Sequence, residues 1–580
     1  MVSLGLATIL WYLSTAHAGS FIHPRTPSPA LWEALNMTVN GHLHVGVPFS
    51  RPCFVIARAI GEAHNKRQCD VVLAGYHNHS IRTSTFGAYI NTQWETCQAS
   101  NEGCVLDALN ASNPQAFQPP ACCFQGSIPS YYIDVQEVND VQAAIKFSEA
   151  NLVPLVIKNS GHDYKGRSSA PNSLALWVHN LQGIQYHQSF SPDDCHGPSV
   201  PAVTFGAGVN QGSLYEFAEQ MNITIPGGTD TTVAAGGGYL QGGGHSTMSN
   251  VFGLAVDRVI QYRVVIANGT YVIANKCQHP DLFFALRGGG GGTFGVVMEV
   301  TTMALPRVSA PTVYIAYNDS SINQAAFLRF MIQNALSYAK QGSELTTLLG
   351  WGGYIAPTEG ATLTNPLLNG SEAQDSLSSL KSLVLTELQG QFTFNIYPSY
   401  LSVYNAVPIG YPYYYASRLI PVTNFESTNS QEQLFSTLLP LMHGPGLNVS
   451  IINLVAPFHY GLTAGTSTIN ATSITPAWRN ALWHVMIPTY WNYSTPPATI
   501  KEIQNELTKT MAPLRDITPE SGAYINECDI QEPNFSESFW GDNYNKLLSI
   551  KNEYDPSRLF DCWQCVGWKG PDDPRYACYL

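Results

Sequence analysis

Charge is scarce in this sequence. Asp, Glu, Lys and Arg make up only 12% of its 580 residues, and 28 basic residues stand against 41 acidic ones, for a net charge of −13. Nucleic-acid binding needs clustered cations; no such cluster occurs, so no nucleic-acid partner is expected. Long apolar runs are missing too. After the first residues none reaches the roughly 18 that a membrane helix needs, and no membrane anchor is expected. No G-x-G-x-x-G fingerprint opens a helix after a strand, which argues against a nicotinamide site of the Rossmann kind. Cys562-Trp563-Gln564-Cys565 has the spacing of a redox or zinc motif, yet no second such pair accompanies it, and no metal is expected.

What is present suits a large folded chain. Hydrophobic residues reach 44%, too many for a disordered polymer, and the length calls for two or more domains. Leu4 to Leu13 is an apolar run followed by the small-x-small sequence Ala16-His17-Ala18, so residues 1–18 read as a signal peptide cut after Ala18 and the protein as secreted. N-glycan sequons at Asn36, Asn78, Asn110, Asn222, Asn268, Asn318, Asn369, Asn448, Asn470, Asn492 and Asn534 agree with that route. So do 12 cysteines, expected as disulfides whose pairing the sequence leaves open.

The order of patterns implies an α+β architecture. Residues 19–125, rich in Pro, Cys, Asn and Ser, read as an irregular stapled lobe. A strand is predicted around Tyr131 to Val135, a helix over Val141 to Ala150 and a strand over Leu152 to Ile157. A strand at Ala202 to Phe205 precedes a helix over Gln211 to Met221. Val259 to Val265 and Thr270 to Ile273 form a hairpin about Asn268-Gly269. Asp281 to Leu286 is a short helix, and Val296 to Val300 an apolar strand. Beyond Pro306 polar helices and Tyr-rich strands alternate to about residue 520, and residues 539–551 carry an aromatic helical pattern.

Three glycine-rich stretches carry chemistry. The first, Lys158 to Ser168, follows a buried strand and holds Asn159-Ser160-Gly161-His162-Asp163-Tyr164. Backbone N–H groups in such a turn can form a nest for a pyrophosphate, while the plain alternative is a surface loop. The second is Gly236 to Ser246, where two glycine triplets bracket Tyr239-Leu240-Gln241. Glycine there allows close backbone approach to a flat ligand; the alternative is a structural turn. The third is Gly288 to Gly292, between a helix and an apolar strand. A fourth region, with Tyr524-Ile525-Asn526-Glu527 and the turn Asp555 to Phe560, signals only strand and turn by itself.

Taken together, the four segments resemble the berberine-bridge-enzyme-like branch of the vanillyl-alcohol-oxidase flavoprotein superfamily, and in wording its fungal isoamyl alcohol oxidase-like group. The likeness is dense over residues 125–308, good over 520–562 and thin over 309–510. It implies a PCMH-type FAD-binding domain of two subdomains, plus a substrate domain whose antiparallel sheet is covered by helices. The implied division is 1–18 signal peptide, 19–125 N-terminal lobe, 126–308 FAD-binding domain, 309–520 substrate domain and 521–580 a segment completing the FAD site. It also implies that His162 bonds to the flavin 8α-methyl and that Asn159, Ser160, Gly161, Asp163, Tyr164 and Ser168 cradle the pyrophosphate. Gly237, Gly238, Gly242, Gly243, His245 and Ser246 would pass beside the flavin, with Asp257, Val259, Tyr524 and Asn526 completing the site. Many relatives carry a second flavin-linking Cys where this chain has Asp230 or Thr231. Neither can form a thioether, so a single covalent link is expected, with Asp230 beside the cofactor.

The implied reaction is hydride transfer from a small alcohol, amine or secondary metabolite to flavin N5, with O2 reoxidising the flavin to give hydrogen peroxide. The alternatives are a flavin-bearing protein without redox turnover, serving as a binding protein or non-redox cyclase, and a dehydrogenase using another acceptor. Candidates for the base are Tyr413 and Tyr415 in a cluster with Tyr411 and Tyr414, then His459, Tyr460, Glu527 and Asp230. The sequence leaves the base, the substrate and the oligomeric state open.

Overall fold

The computed structural model describes residues 27–339, 350–356, 360–404, 414–443, 449, 451–465 and 470–580. The signal-peptide stretch, Tyr411 and Tyr413 lie outside these residues. Three sheets frame the molecule. A four-stranded sheet has the spatial order Leu43–Val45, Tyr131–Asp134, Leu174–Trp177, Leu155–Lys158. Its first pair is antiparallel and its other two pairs are parallel. The strand Leu43–Val45 comes from the Cys-rich N-terminal stretch, so that stretch shares a sheet with the segment after residue 126.

Helix Val138–Asn151 starts three residues earlier than its apolar spacing predicts, because Asp140 and Glu137 form a capping box at its N-terminus. It ends where Leu152 turns left-handed, and the following strand therefore begins only at Leu155. Val141, Ala144 and Ile145 on this helix pack on Ile133, Leu155, Leu174 and Leu176 of the sheet. The second sheet is antiparallel and five-stranded, in the order Tyr271–Asn275, Val259–Val265, Val296–Met303, Val200–Gly206, Ile184–Phe190. Its hairpin turns at Asn268-Gly269, with Gly269 at φ +82°. Helix Gln211–Met221, capped by the Asn210 side chain on Ser213 N at 2.8 Å, buries Leu214 and Ala218 against it.

The third sheet has seven antiparallel strands, in the order Gln391–Tyr397, Ala310–Ala316, Gly360–Thr364, Gly352–Ala356, Ile451–Leu454, Ala481–Thr489, Tyr414–Pro421. Strand alternation divides its residues between two faces. Val313, Ile315, Ile452 and Val485 join Phe327, Leu328, Leu434 and Leu438 from helices Ser321–Ala339 and Thr428–His443 in one core. Each such buried side chain contributes about 1.5–3 kcal/mol, so a one-residue slip, which would exchange the faces, is strongly disfavoured. The opposite face, with Ile451, Asn453 and Met486, is left to line a cavity.

The aromatic stretch near the C-terminus forms two helices, Phe535–Trp540 and Tyr544–Tyr554, rather than one. Gly541 breaks the run at φ +51°. Ten cysteines pair, as Cys53–Cys69, Cys97–Cys578, Cys104–Cys123, Cys195–Cys277 and Cys562–Cys565, and Cys122 and Cys528 are free thiols. The Cys-x-x-Cys pair is thus joined to itself. No helix among the described residues is long and apolar enough to cross a membrane.

Candidate active site

A cavity of about 410 Å3 lies where the three sheets converge. Its wall includes the loop from Asn159 to Tyr164 with Arg167 and Ser168, the glycine turn at Gly236, Gly237 and Gly238, and Gly291 and Gly292. Tyr354, Tyr415, Ile451, Asn453 and Met486 come from the seven-stranded sheet, and Tyr524, Asn526 and Glu527 from the C-terminal segment.

The loop after strand Leu155–Lys158 is shaped by its own side chains. Gly161 takes φ +83°, which reverses the chain just before His162. Asp163 accepts hydrogen bonds from Lys165 N at 3.1 Å, Ser168 N at 2.9 Å and Arg167 Nε at 3.2 Å, closing the turn. Arg167 Nη2 reaches on to Asn526 Oδ1 at 3.1 Å. Asn526 donates to the Gly238 carbonyl at 2.7 Å and to the Tyr524 hydroxyl at 2.8 Å. One amide therefore ties the C-terminal segment to both the His162 loop and the glycine turn. A Cβ on Gly242 would stand 2.4 Å from Asn526 Nδ2, and one on Gly291 would stand 2.8 Å from Gly238 Cα, so both approaches require glycine.

Two clusters of titratable groups stand at this cavity. In the first, His162 Nε2 lies 2.7 Å from Thr232 Oγ1, which lies 2.7 Å from Asp230 Oδ1; His79 Nδ1 meets Asp230 Oδ2 at 2.8 Å. Burial drives the His162 imidazole down to about 4, against the attraction of Asp230, so it is neutral near pH 7. Burial alone would raise the Asp230 carboxyl. The His162 ring beside it and the hydrogen bonds from His79 and Thr232 outweigh that, and hold it well below the usual carboxylate range.

In the second cluster, Glu527 Oε2 sits 3.0 Å from His245 Nε2 and 3.8 Å from His484 Nδ1. His484 shares the cavity-facing side of its strand with Met486; it is fully buried and neither ring nitrogen has a hydrogen-bond partner among the described residues. Burial drives it down to about 3, so it is neutral. Burial pushes the Glu527 carboxyl up, but the charge and hydrogen bond of His245 pull harder, and Glu527 stays below the ordinary range. In each trio the ligand-type atoms lie within 4.8 Å of one another.

Residues 129–275 match the family described as FAD binding domain, and residues 523–567 match berberine and berberine like. The FAD-linked oxidoreductase ffsJ of Aspergillus flavipes is 34% identical over 603 residues, across 96% of this chain and 94% of that protein. The chain belongs to the berberine-bridge-enzyme-like family of FAD-linked oxidoreductases. Another relative, the VAO-type flavoprotein oxidase VAO615 of Thermothelomyces thermophilus, is 30% identical across 92% of this chain and 90% of its own. The solved VAO-type flavoprotein MtVAO615 from Myceliophthora thermophila aligns with a TM-score of 0.80 at 27% identity, covering 93% of this chain and 95% of that one. The chain is therefore an enzyme, with the mixed α+β fold of VAO-type flavoproteins.

The cavity of this berberine-bridge-enzyme-like chain fits FAD. Three buried polar atoms on its wall, Asn159 Oδ1, Arg167 Nη1 and Gln241 Oε1, have no hydrogen-bond partner within the described chain. Buried polar groups are normally paired, and a polar ligand threaded between glycines would satisfy them.

Of the residues expected to hold the cofactor, His162, Asn159, Ser160, Gly161, Asp163, Tyr164, Ser168, Asp230, Gly237, Gly238, His245, Tyr524 and Asn526 line the cavity. Gly242, Gly243, Ser246, Asp257 and Val259 stand behind the wall instead. Gly242 and Gly243 face Asn526 and Tyr524, and Ser246 N bonds Ser249 Oγ at 2.7 Å. Asp257 is spent on Arg479 at 2.6 and 2.9 Å, and Val259 is buried in its strand. Among the expected bases, Tyr415 and Glu527 line the cavity and Tyr413 lies outside the described residues. His459 lies in the first turn of helix Phe458–Thr463, its N–H bonds Asn250 Oδ1 at 2.9 Å, and it is off the cavity wall. Sequence reasoning did not assign His79, Arg167, Thr232, Gln241 or His484. Arg167 and Gln241 sit inside the motif stretches and Thr232 stands two residues after Asp230, so these were open to notice; His79 carries no local signal.

Proposed function

We propose that this chain is a secreted oxidase that carries FAD through one covalent bond to His162 and oxidises a small, uncharged organic substrate, an alcohol, amine or secondary metabolite. The observation that carries the reading is the Glu527–His245 pair on the wall of the cavity that also holds His162. When bound, FAD supplies the acceptor for a hydride from a C–H bond beside oxygen or nitrogen and passes the electrons to O2, giving hydrogen peroxide.

The chain's own residues do the rest. Glu527, ionised because its carboxyl lies below the usual range, takes the proton from the substrate O–H or N–H. His245 fixes the carboxylate by a hydrogen bond, and buried His484 backs it without adding charge. Tyr354, Tyr415, Ile451, Asn453 and Met486 offer apolar surface, hydroxyls and an amide, and no charge, which supports a neutral substrate. Arg167 spends its Nε and Nη2 on Asp163 and Asn526, and its unpaired Nη1 is among the atoms left to the cofactor. In this reading residues 126–308 and 521–580 hold FAD, residues 309–520 bind substrate and residues 19–125 cover the site. Secretion is supported by the leader-like residues 1–18, by the disulfides, and by sequon asparagines that are exposed at every described site except half-buried Asn36.

The experiment is denaturation of the purified protein followed by anaerobic substrate addition. Yellow colour retained in the acid pellet, FAD mass on the His162 peptide, bleaching by substrate and peroxide on readmission of air are expected. A colourless pellet refutes the covalent bond; bleaching without peroxide makes the enzyme a dehydrogenase.

A further inference from the structure

We propose that Thr232, Asp230 and His79 form a proton relay that activates His162 for its attachment to FAD. The proposal rests on the covalent reading above and concerns how that bond is made.

The hydrogen bonds assign the protons. Thr232 has one hydroxyl hydrogen, and Asp230 Oδ1, an acceptor only when ionised, takes it at 2.7 Å. Thr232 Oγ1 must then accept from His162 Nε2, 2.7 Å away. The proton of the neutral imidazole is thus held at Nε2, and the lone pair is at Nδ1, which no hydrogen bond of the described residues occupies. Asp230 is itself held by its second oxygen, at 2.8 Å from His79 Nδ1, and by Thr232 N at 2.8 Å. His79 opens the short helix His79–Thr83 from a separate part of the chain, and its ring lies 6.0 Å from that of His162. This is the logic of a nucleophile, a base that takes its proton and a third group that orients the base. The low-lying titration of both His162 and Asp230 agrees: a neutral nucleophile beside an ionised acceptor.

The step balances. A bond forms between His162 Nδ1 and the carbon of the flavin 8-methyl. One C–H of that methyl and the Nε2–H of the imidazole are lost as protons. The imidazole proton goes to Asp230 through Thr232, and leaves by way of His79, whose side chain is 23% exposed. The electron pair of the broken C–H bond passes through the flavin to O2, which leaves as hydrogen peroxide with the two protons. Asp230 thus occupies, with a base, the position where many relatives place a second linking cysteine. Thr232, Asp230 and His79 are positioning residues in this scheme, since they act through His162.

The test expresses the full chain as wild type, Thr232→Val, Asp230→Asn, His79→Ala and His79→Asn. Flavin is measured in the native protein by absorbance, and then as the fraction retained after acid precipitation, over a time course of aerobic incubation with FAD. The wild type is expected to retain its flavin. Thr232→Val and Asp230→Asn are expected to bind flavin in the native state but attach it at least about a hundredfold more slowly, the lower end of what a positioned base supplies. His79→Ala should be slow and His79→Asn, which restores a donor to Asp230, faster. Digestion of the wild type to its histidyl flavin should show attachment at Nδ1. Thr232→Val keeps the shape of the side chain, and decides the matter if Asp230→Asn does not bind flavin. Equal attachment rates in wild type and Thr232→Val, or a bond at Nε2, overturn the relay and leave the covalent reading standing. Release of flavin from the wild type overturns both.

Discussion

Glu527 Oε2 and His245 Nε2 meet at 3.0 Å across 282 positions of sequence, joining the C-terminal segment to the glycine-rich turn. If this carboxylate takes the substrate proton, Glu527→Gln lowers the rate of flavin reduction by about 10²–10⁴-fold with flavin content unchanged, as read by anaerobic rapid mixing. The pH profile carries the sign. The acceptor must be ionised, and His245 holds Glu527 below the usual carboxylate range. The wild-type rate therefore persists into mild acid and falls only as pH drops through that lowered value. The Gln variant loses this acid limb.

Lys551 supports the same site from below. Its ammonium, fully buried, donates to Asp555 Oδ2 at 2.6 Å, to the Thr293 carbonyl at 2.5 Å and to the Phe560 carbonyl at 2.8 Å. Asp555→Ala strands that charge and is expected to cost about 3–5 kcal/mol, visible as a large fall in melting temperature. Burial lowers Lys551 from 10.5 to about 8, against the pull of Asp555. Between those values the unfolded chain binds more protons than the folded one, so stability attached to this group rises with pH. Wild type should gain on Lys551→Met as pH is raised through that window in denaturant titrations.

Much of this framework is legible in the sequence, and the reason is locality. The hairpin about Asn268-Gly269 and the helix Gln211–Met221 are set by residues within a few positions of each other, and both fall where their patterns place them. The glycine stretches are legible because close backbone approach leaves few other residues. What the sequence hides is long-range. Nothing near His79 points to Asp230, 151 positions away. Nothing near Cys97 names Cys578. His459 has the residue type of a base, but an Asn250 hydrogen bond docks its helix off the cavity. The aromatic pattern over residues 539–551 reads as one helix until Gly541, at φ +51°, divides it.

The glycine run gives a sharper prediction. Gly291→Ala would place its methyl 2.8 Å from Gly238 Cα, backbone against backbone, where no side chain can yield. The variant is expected to carry markedly less flavin per protein than wild type, measured as the ratio of visible to ultraviolet absorbance. Gly197→Ala, whose methyl would meet only Lys276 Nζ at 3.6 Å, serves as the control and should retain full colour.

The Cys97–Cys578 disulfide spans 481 residues. Cys97→Ser is expected to lower stability by about 2–4 kcal/mol, measured as a shifted denaturation midpoint. It should also loosen the end of the chain, where Tyr579 stacks on Trp563 at 4.3 Å and donates to the Lys165 carbonyl at 2.7 Å, just past His162. Faster proteolysis of the C-terminus would report it.

The amide of Asn526 has a consequence for how the enzyme is born. It bridges the Arg167 side chain and the Gly238 carbonyl, two anchor points made more than 280 residues earlier. A growing chain that has not yet delivered this residue has a gap in the wall of its pocket, so that wall closes only once the C-terminal segment has been made.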